Sequence, residues 1–133
     1  MTPTIYDLVS YRLKRSNDSF EEAKILSSAE HWNACVNRLY YACFYAVSAL
    51  LSIDNLSSSK HTGIRSFFNQ FYVKTEKISK DNASIYNDLF QLRQEGDYFD
   101  FLEFKESQVK PLIADVDMFL ENIKQIIEIK LRS

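Results

Sequence analysis

From Leu39 to Leu51 the chain reads LYYACFYAVSALL, a run in which every residue but Ser48 is apolar or aromatic and no Gly, Pro or charge occurs. A helix of that composition has no side it can leave in water, so it must be covered nearly all round. The run falls short of the roughly 20 residues that cross a bilayer, and three Tyr hydroxyls with Arg38 at the head suit a protein interior better than lipid. Asn33 to Leu51 therefore predicts the central helix of a soluble bundle, with no membrane partner. Arg38 is the one charge beyond that helix's first turn. Helical spacing sets it on a stripe with Tyr41, Ala42, Tyr45 and Ala49, where function is expected to touch the core.

The rest of the chain has to supply the cover. At 133 residues it has the length of one ordinary domain, 1–133, and can bury a core without disulfide or metal. Two Gly and two Pro leave few turn residues for an all-β fold. Cys35 and Cys43 lie in the same predicted helix about 12 Å apart by the helical rise, too far to bridge. Free, buried thiols in a reducing cytoplasm are the expectation. No signal-peptide pattern opens the chain, since charge begins at Asp7 before any apolar core; a cytoplasmic location is expected.

The net charge of −2 conceals an uneven distribution. Residues 1–80 carry ten Lys or Arg against seven acids, residues 81–121 three against ten, and the last twelve three against one. The chain as a whole lacks the positive field on which nonspecific nucleic-acid binding relies, so DNA is not an expected partner, although a local basic patch is compatible with the count.

Thr4 and Asp7 form a capping-box pattern with an acid where the helix dipole favours it. Tyr6, Val9, Leu13, Ser16, Phe20 and Ala23 then recur at steps of three and four, predicting an amphipathic helix to about Ser28. The short link SSAEH should turn the chain back, making the first two helices antiparallel. SIDNLSSS, after Leu51, reads as a loop. A shorter third helix is entered near Ser59, with His61 in its first turn, Ile64, Phe67, Phe68 and Phe71 on one side, and Gly63 signalling the close approach of another backbone. The fourth helix should start at Ser79 or Asp81, bury Ile85, Leu89 and Leu92, and stop near Gly96. Asp97 to Phe104, DYFDFLEF, fits neither helical nor strand period. A last long helix from about Ser107 carries Val109, Val116, Phe119, Ile123 and Ile127, with Pro111 within or just past its first turn. The fold class is all-α, an antiparallel up-and-down bundle of four to five helices.

No phosphate-cradling Gly loop, no His pair at metal spacing and no specifiable Ser, His and acid set occurs, so neither a metal nor a cofactor is expected. His31 suits a cap or surface role. His61, flanked by Lys60, Thr62, Gly63 and Arg65 at a helix start, is suited to an anion, against the alternative of an exposed structural residue. The stretch RQEGDY sets Arg93, Asp97 and Tyr98 within about one and a half turns. Arg93 offers a planar fork for phosphate, and Tyr98 a hydroxyl for hydrogen bonding or, if activated, proton transfer. The plainer alternative is an Arg93–Asp97 pair closing the helix, with Tyr98 in the core. Arg38, heading a buried helix, needs a carboxylate or a ligand, and the acid of RQEGDY is one way to supply it.

NRLYYACFYAVSALL, KHTGIRSFF and LFQLRQEGDYFDF resemble, in order and spacing, the three signature blocks of the small stand-alone HEPN (higher eukaryotes and prokaryotes nucleotide-binding) domain proteins of bacteria and archaea. The resemblance covers about 25 to 104. It implies a helical bundle that forms a homodimer through the face carrying its site, and partnership with a minimal nucleotidyltransferase, often as a toxin and antitoxin pair. Active HEPN ribonucleases carry an Arg, four to six residues, then a His, and cut RNA without metal. Arg93 matches the arginine, but after four intervening residues comes Tyr98. Tyr has a reference pKa near 10 against about 6.5 for His, so it is the poorer general base. The Tyr onto which some family toxins accept a nucleotide corresponds to Asp100, so that control does not carry over.

Three functions are therefore expected to compete. The first is a dimer that binds nucleotide or RNA phosphate with Arg38, Tyr41, His61, Arg93 and Tyr98, alongside a nucleotidyltransferase. The second is a metal-independent ribonuclease built on Arg93, Asp97 and Tyr98, with Tyr98 or His61 standing in for the missing histidine. The third is a helical dimerisation module without a ligand.

Overall fold

Thr4 and Asp7 close the first helix as the capping-box pattern requires: the Thr4 hydroxyl accepts from the Asp7 N–H at 3.1 Å, and the Asp7 carboxylate accepts from the Thr4 N–H at 2.9 Å. The helix they open, α1, spans Ile5–Ser28. The computed structural model describes residue 2 and residues 4–133, and among these residues there is no strand. The other helices are α2 (Trp32–Ile53), α3 (His61–Phe68), α4 (Lys80–Tyr98) and α5 (Glu106–Arg132), and α3 runs on into one π-helical turn, Asn69–Val73.

Three contacts fix α1 and α2 as antiparallel. Arg12 Nη1 donates to the Ser48 carbonyl at 3.2 Å, Ser16 Oγ to the Ala42 carbonyl at 2.6 Å, and Cys35 Sγ to the Ala23 carbonyl at 3.3 Å, so partners on α2 fall in number as those on α1 rise. α5 runs parallel to α2. Asn33, at the start of α2, binds the Leu102 carbonyl (2.9 Å) and the Phe104 N–H (2.8 Å) just before α5, while Asp54, just past the end of α2, pairs with Lys130 at 3.0 Å. α4 runs the other way: its first turn lies beside Met118 and Asn122, and Gly96 in its last turn faces Phe104. The result is an all-α bundle.

From Leu39 to Ile53, α2 is buried everywhere except at Tyr41, Phe44, Tyr45 and the terminal Ile53. It is long and apolar enough to cross a membrane, yet 67% of its most apolar window is buried inside the bundle. Tyr40, Tyr86 and Phe119 stack through the centre with ring centroids 6.2 Å apart at each step. Offset aromatic contacts of this kind add about 0.5–1.5 kcal/mol each beyond the area they bury. Cys35 and Cys43 are free and buried, and burial lifts the Cys35 thiol to about 11 and that of Cys43 higher still.

Two glycines admit close neighbours. α4 stops near Gly96 as expected, ending at Tyr98, and the missing Cβ of Gly96 admits Phe104, whose Cε2 lies 3.1 Å from where a Cβ would stand. Gly63 does mark a close approach, but to the Ser58 side chain of the preceding loop rather than to another backbone. The 97–104 segment resolves into the end of α4 and a turn at Phe99–Phe101, where Phe101 has a φ of 65°.

Candidate functional site

The strip of α2 left uncovered carries the candidate site. Because the sequence places two tyrosines in tandem, Tyr40 points into the core while Tyr41 points along the strip, and one turn later Phe44 lies between them in direction. α3 delivers His61 onto this aromatic shelf. Its ring stacks on Phe44 at 4.3 Å and on Tyr40 at 5.7 Å, and meets Tyr41 edge-on at 5.6 Å.

Arg93, from the penultimate turn of α4, completes the group. Its Nη1 lies 3.3 Å from His61 Nδ1, its Nε 3.1 Å from Asp97 Oδ2, and its guanidinium carbon 5.3 Å from the Tyr40 ring centroid and 5.4 Å from that of Tyr41. The Asp97 carboxylate stands off the direction of the Nε–H bond, so that buried hydrogen has no aligned acceptor among the described residues. Arginine has only donors, so the Arg93 contact assigns the lone pair of His61 to Nδ1 and, in the neutral ring, the proton to Nε2. The Tyr40 hydroxyl, 3.0 Å from the same Nδ1, is then a second donor. Burial, reinforced by the nearby Arg93 charge, lowers the pKa of His61, so at neutral pH the ring is uncharged. Burial likewise pushes the Tyr40 phenol up, which keeps its proton available for donation.

Arg38 joins from one turn before Tyr41. Its guanidinium lies over the Tyr41 ring, 4.9 Å from the centroid, with Nη2 and Nε bonded to Asn37 Oδ1 at 2.9 and 3.1 Å. Two arginines thus sit against one tyrosine. The carboxylate that meets Arg38 is Glu22 of α1, at 3.6 Å, rather than the acid of RQEGDY, because Asp97 is committed to Arg93 one turn away on the same helix. Asp97 therefore touches the group only through Arg93.

Tyr98 stands apart. It is 79% exposed at the last residue of α4, neither in the core nor beside His61, and Phe99 and Phe101 next to it are exposed as well. Arg65, expected beside His61, instead turns to Asn87 (2.9 Å) and lies over Phe90. His31 occupies the N-cap of α2 with no side-chain cap bond. A cleft of about 30 Å³ lined by Asn37, Arg93, Gly96 and Asp97 opens next to the Arg93–Asp97 pair. Among the described residues no group of three or more His, Cys, Asp or Glu is placed to hold a metal ion.

A family model for the HEPN domain matches residues 9–126. The chain belongs to the HEPN family. Among curated relatives, this HEPN chain is 41% identical over 121 residues to a UPF0332 protein of Thermotoga maritima, covering 91% of the chain and 92% of the relative. It is 27% identical over 113 residues to the protein named "Putative toxin MJ0142" of Methanocaldococcus jannaschii, covering 85% of the chain and 77% of the relative. A UPF0332 protein of Archaeoglobus fulgidus matches at 24% over 122 residues, 91% of the chain and 96% of the relative.

The residues that sequence reasoning missed around Arg93 and Arg38 are Tyr40, Phe44 and Glu22. Tyr40 and Phe44 are four apart, so a second helical stripe beside that of Arg38 and Tyr41 was present in the sequence. Nothing in the sequence pointed to Glu22, since its pairing depends on the register of α1 against α2.

Proposed function

We propose that this HEPN protein binds the phosphate of a nucleotide or of RNA on Arg93 and Arg38, as a cytoplasmic homodimer acting with a minimal nucleotidyltransferase in a toxin and antitoxin-like pair. The observation that carries the reading is the pair of guanidinium groups held at 4.9 and 5.4 Å from the Tyr41 centroid. Planar forks fixed by stacking and by side-chain acceptors are preorganised for phosphate oxygens. His61 lies within reach of whatever Arg93 holds. Tyr98, open to solvent at the end of α4, is free to hydrogen-bond the same ligand from the rim. The relatives named as toxins support the toxin-like role, and the family supports the partner and the dimer.

The geometry also favours a specific form of the ribonuclease reading. Of the two groups able to replace the missing histidine, His61 is the one beside Arg93. Bound phosphate would draw Arg93 off Nδ1, and once the Tyr40 hydroxyl turns away as well the lone pair of the neutral imidazole is free. That nitrogen then takes the proton of a ribose 2′-hydroxyl, the 2′-oxygen attacks phosphorus to give a 2′,3′-cyclic phosphate, the bond to the 5′-oxygen breaks and that oxygen leaves as a hydroxyl with a proton from water, while Arg93 meets the charge on the phosphoryl oxygens.

Calorimetry with adenosine monophosphate and with a short RNA, in chelator, tests the first reading. Binding lost in Arg93→Ala and Arg38→Ala is the expected result, and a native chain that binds neither ligand leaves only the dimerisation module. Light scattering reports the dimer. RNA cleavage abolished by His61→Ala but retained in Tyr98→Phe would add the enzymatic reading.

A further inference from the structure

The aromatic strip does not end at Tyr41. The Tyr45 ring follows at 6.0 Å between centroids, and Arg15 of α1 lies over it with its guanidinium carbon 4.8 Å from the centroid. Arg15 is pinned by two phenols, donating from Nη2 to the Tyr45 hydroxyl at 2.8 Å and from Nη1 to the Tyr11 hydroxyl at 3.1 Å. Tyr11 is 56% exposed, and Arg15 is exposed as well. The ion pairs among the described residues leave Arg15 out; the acid one turn along, Asp18, is taken by Lys14 at 2.9 Å. Exposed arginines ordinarily wave in water, at a rotamer-entropy cost if held. This one is held flat between two tyrosines without a carboxylate to neutralise it.

From Arg93 the surface therefore alternates cation and ring: Arg93, Tyr41 with Arg38, Tyr45, Arg15, Tyr11. We infer that Tyr45, Arg15 and Tyr11 form a base-stacking extension of the phosphate site, so that the ligand is a single-stranded polynucleotide rather than a mononucleotide or a duplex. This inference rests on the reading of Arg93 and Arg38 as a phosphate site.

Interleaved guanidinium and aromatic groups bind single strands because every base has a π-face and every linkage a charge, and guanidinium planes stack bases as rings do. In a duplex the bases are already stacked and paired, so the rings have nothing to take. A mononucleotide reaches only the Arg93 end. A second copy of the chain is the competing occupant, since Tyr and Arg also suit a protein interface, but Arg15, without a carboxylate partner in its own chain, matches a polyanion. The local excess of arginine here also reconciles a polyanionic ligand with a chain whose total charge is −2.

The test is fluorescence anisotropy of a short fluorescein-labelled oligouridylate and of a fluorescent adenosine monophosphate on the full chain, with unlabelled RNA duplex as competitor. Tyr11→Ala, Arg15→Gln and Tyr45→Ala should each weaken the oligouridylate by about fivefold to a hundredfold while leaving mononucleotide affinity unchanged. Duplex should compete poorly. Tyr11 and Arg15 are exposed, so circular dichroism melting should match the native chain. If those variants bind oligouridylate like the native chain while Arg93→Ala does not, the extension is wrong and the phosphate site stands. If the native chain binds neither ligand, both fall. If Tyr11→Ala or Arg15→Gln lowers the molar mass in light scattering, the strip is covered by a second copy and the inference is overturned.

Discussion

Nη1 of Arg93 and Nδ1 of His61 lie 3.3 Å apart although the residues are 32 positions distant in sequence, and the contact fixes which nitrogen of the ring can accept a proton. Protonating Nδ1 requires Arg93 to leave, and burial opposes the charge as well. The His61 pKa is therefore held below its ordinary 6.5, first by burial and then by Arg93. In the unfolded chain His61 takes up its proton at a higher pH than in the native one, so its contribution to stability is complete above about 6.5 and is lost as pH falls below it, levelling off once the native ring is protonated too. Proton NMR titration of the His61 ring should show the lowered value, and Arg93→Ala should raise it part of the way, since burial remains. An unchanged titration in Arg93→Ala would remove the coupling.

Arg93→Lys keeps the charge but loses the fork and most of the stacking on Tyr40 and Tyr41. Lysine has three donors on one point charge and cannot meet Asp97 and two phosphate oxygens in the fixed planar geometry of the guanidinium. Loss of a charge-assisted hydrogen bond is worth about 1.5–3 kcal/mol, so RNA affinity should fall roughly tenfold to a hundredfold. Anisotropy titration of the lysine variant against the native chain measures it directly, and equal affinities would mean that charge alone is read.

The Tyr40 hydroxyl is the second donor to His61 and sits on a ring with no solvent exposure. Tyr40→Phe keeps the aromatic stacking and deletes one hydrogen bond, which should cost about 0.5–1.5 kcal/mol. Thermal unfolding should report that loss. His61 ring resonances should broaden or shift as the ring loses one of its two anchors, whereas a variant with native stability and native resonances would show the hydroxyl to be idle.

Most of the bundle was legible because its signals are local. The Thr4–Asp7 cap, the step-three-and-four pattern to Ser28 and the all-round apolar run to Leu51 each fix a helix from within its own span. Gly96 gave the end of α4 to within two residues, while its other role, making room for Phe104, depends on a contact from outside the helix. The site divides along the same line. Arg38 and Tyr41 are one turn apart and could be paired by spacing, and the Arg93–Asp97 pair could be weighed from four-residue separation. That His61 would land on Phe44 and Tyr40, that Glu22 would meet Arg38, and that Tyr98 would stay in water all depend on how α3, α1 and α4 are laid against α2, which periodicity does not specify.

Gly63 lies in the turn that carries His61, and a Cβ there would stand 2.1 Å from Ser58 Oγ and 2.7 Å from Ser58 Cβ. In an open helix Gly→Ala gains up to about 1 kcal/mol, but forcing apart two groups this close costs about 1–3 kcal/mol. Gly63→Ala should therefore be destabilising overall, and it should weaken ligand binding by displacing His61. Adding Ser58→Gly removes the obstructing atoms, so the double variant should recover stability beyond the sum of the single effects. Additive losses in a denaturant-unfolding cycle would show that the obstruction is not Ser58.

At the opposite end of the bundle, the Tyr72 hydroxyl donates to Asp54 Oδ2 at 2.5 Å while Lys130 pairs with Oδ1 at 3.0 Å, tying the end of α2 to the π-helical turn and to α5. Burial alone would raise the Asp54 pKa, but the Tyr72 and Lys130 hydrogen bonds outweigh it and bring the carboxyl below its ordinary 3.8. A carboxyl lowered in the native state stabilises the fold above its unfolded value and loses that contribution as pH falls through the native one. Since Asp54 keeps about a third of its side chain in solvent, the effect is screened, and Tyr72→Phe should cost about 1–2 kcal/mol at neutral pH. The distinguishing measurement is the pH dependence of the urea midpoint: the gap between Tyr72→Phe and the native chain should hold from neutrality to about 4 and close in stronger acid, as the protonated carboxyl gives up its partners. A gap that stayed constant through that range would show that the loss does not depend on the ionised Asp54 carboxylate.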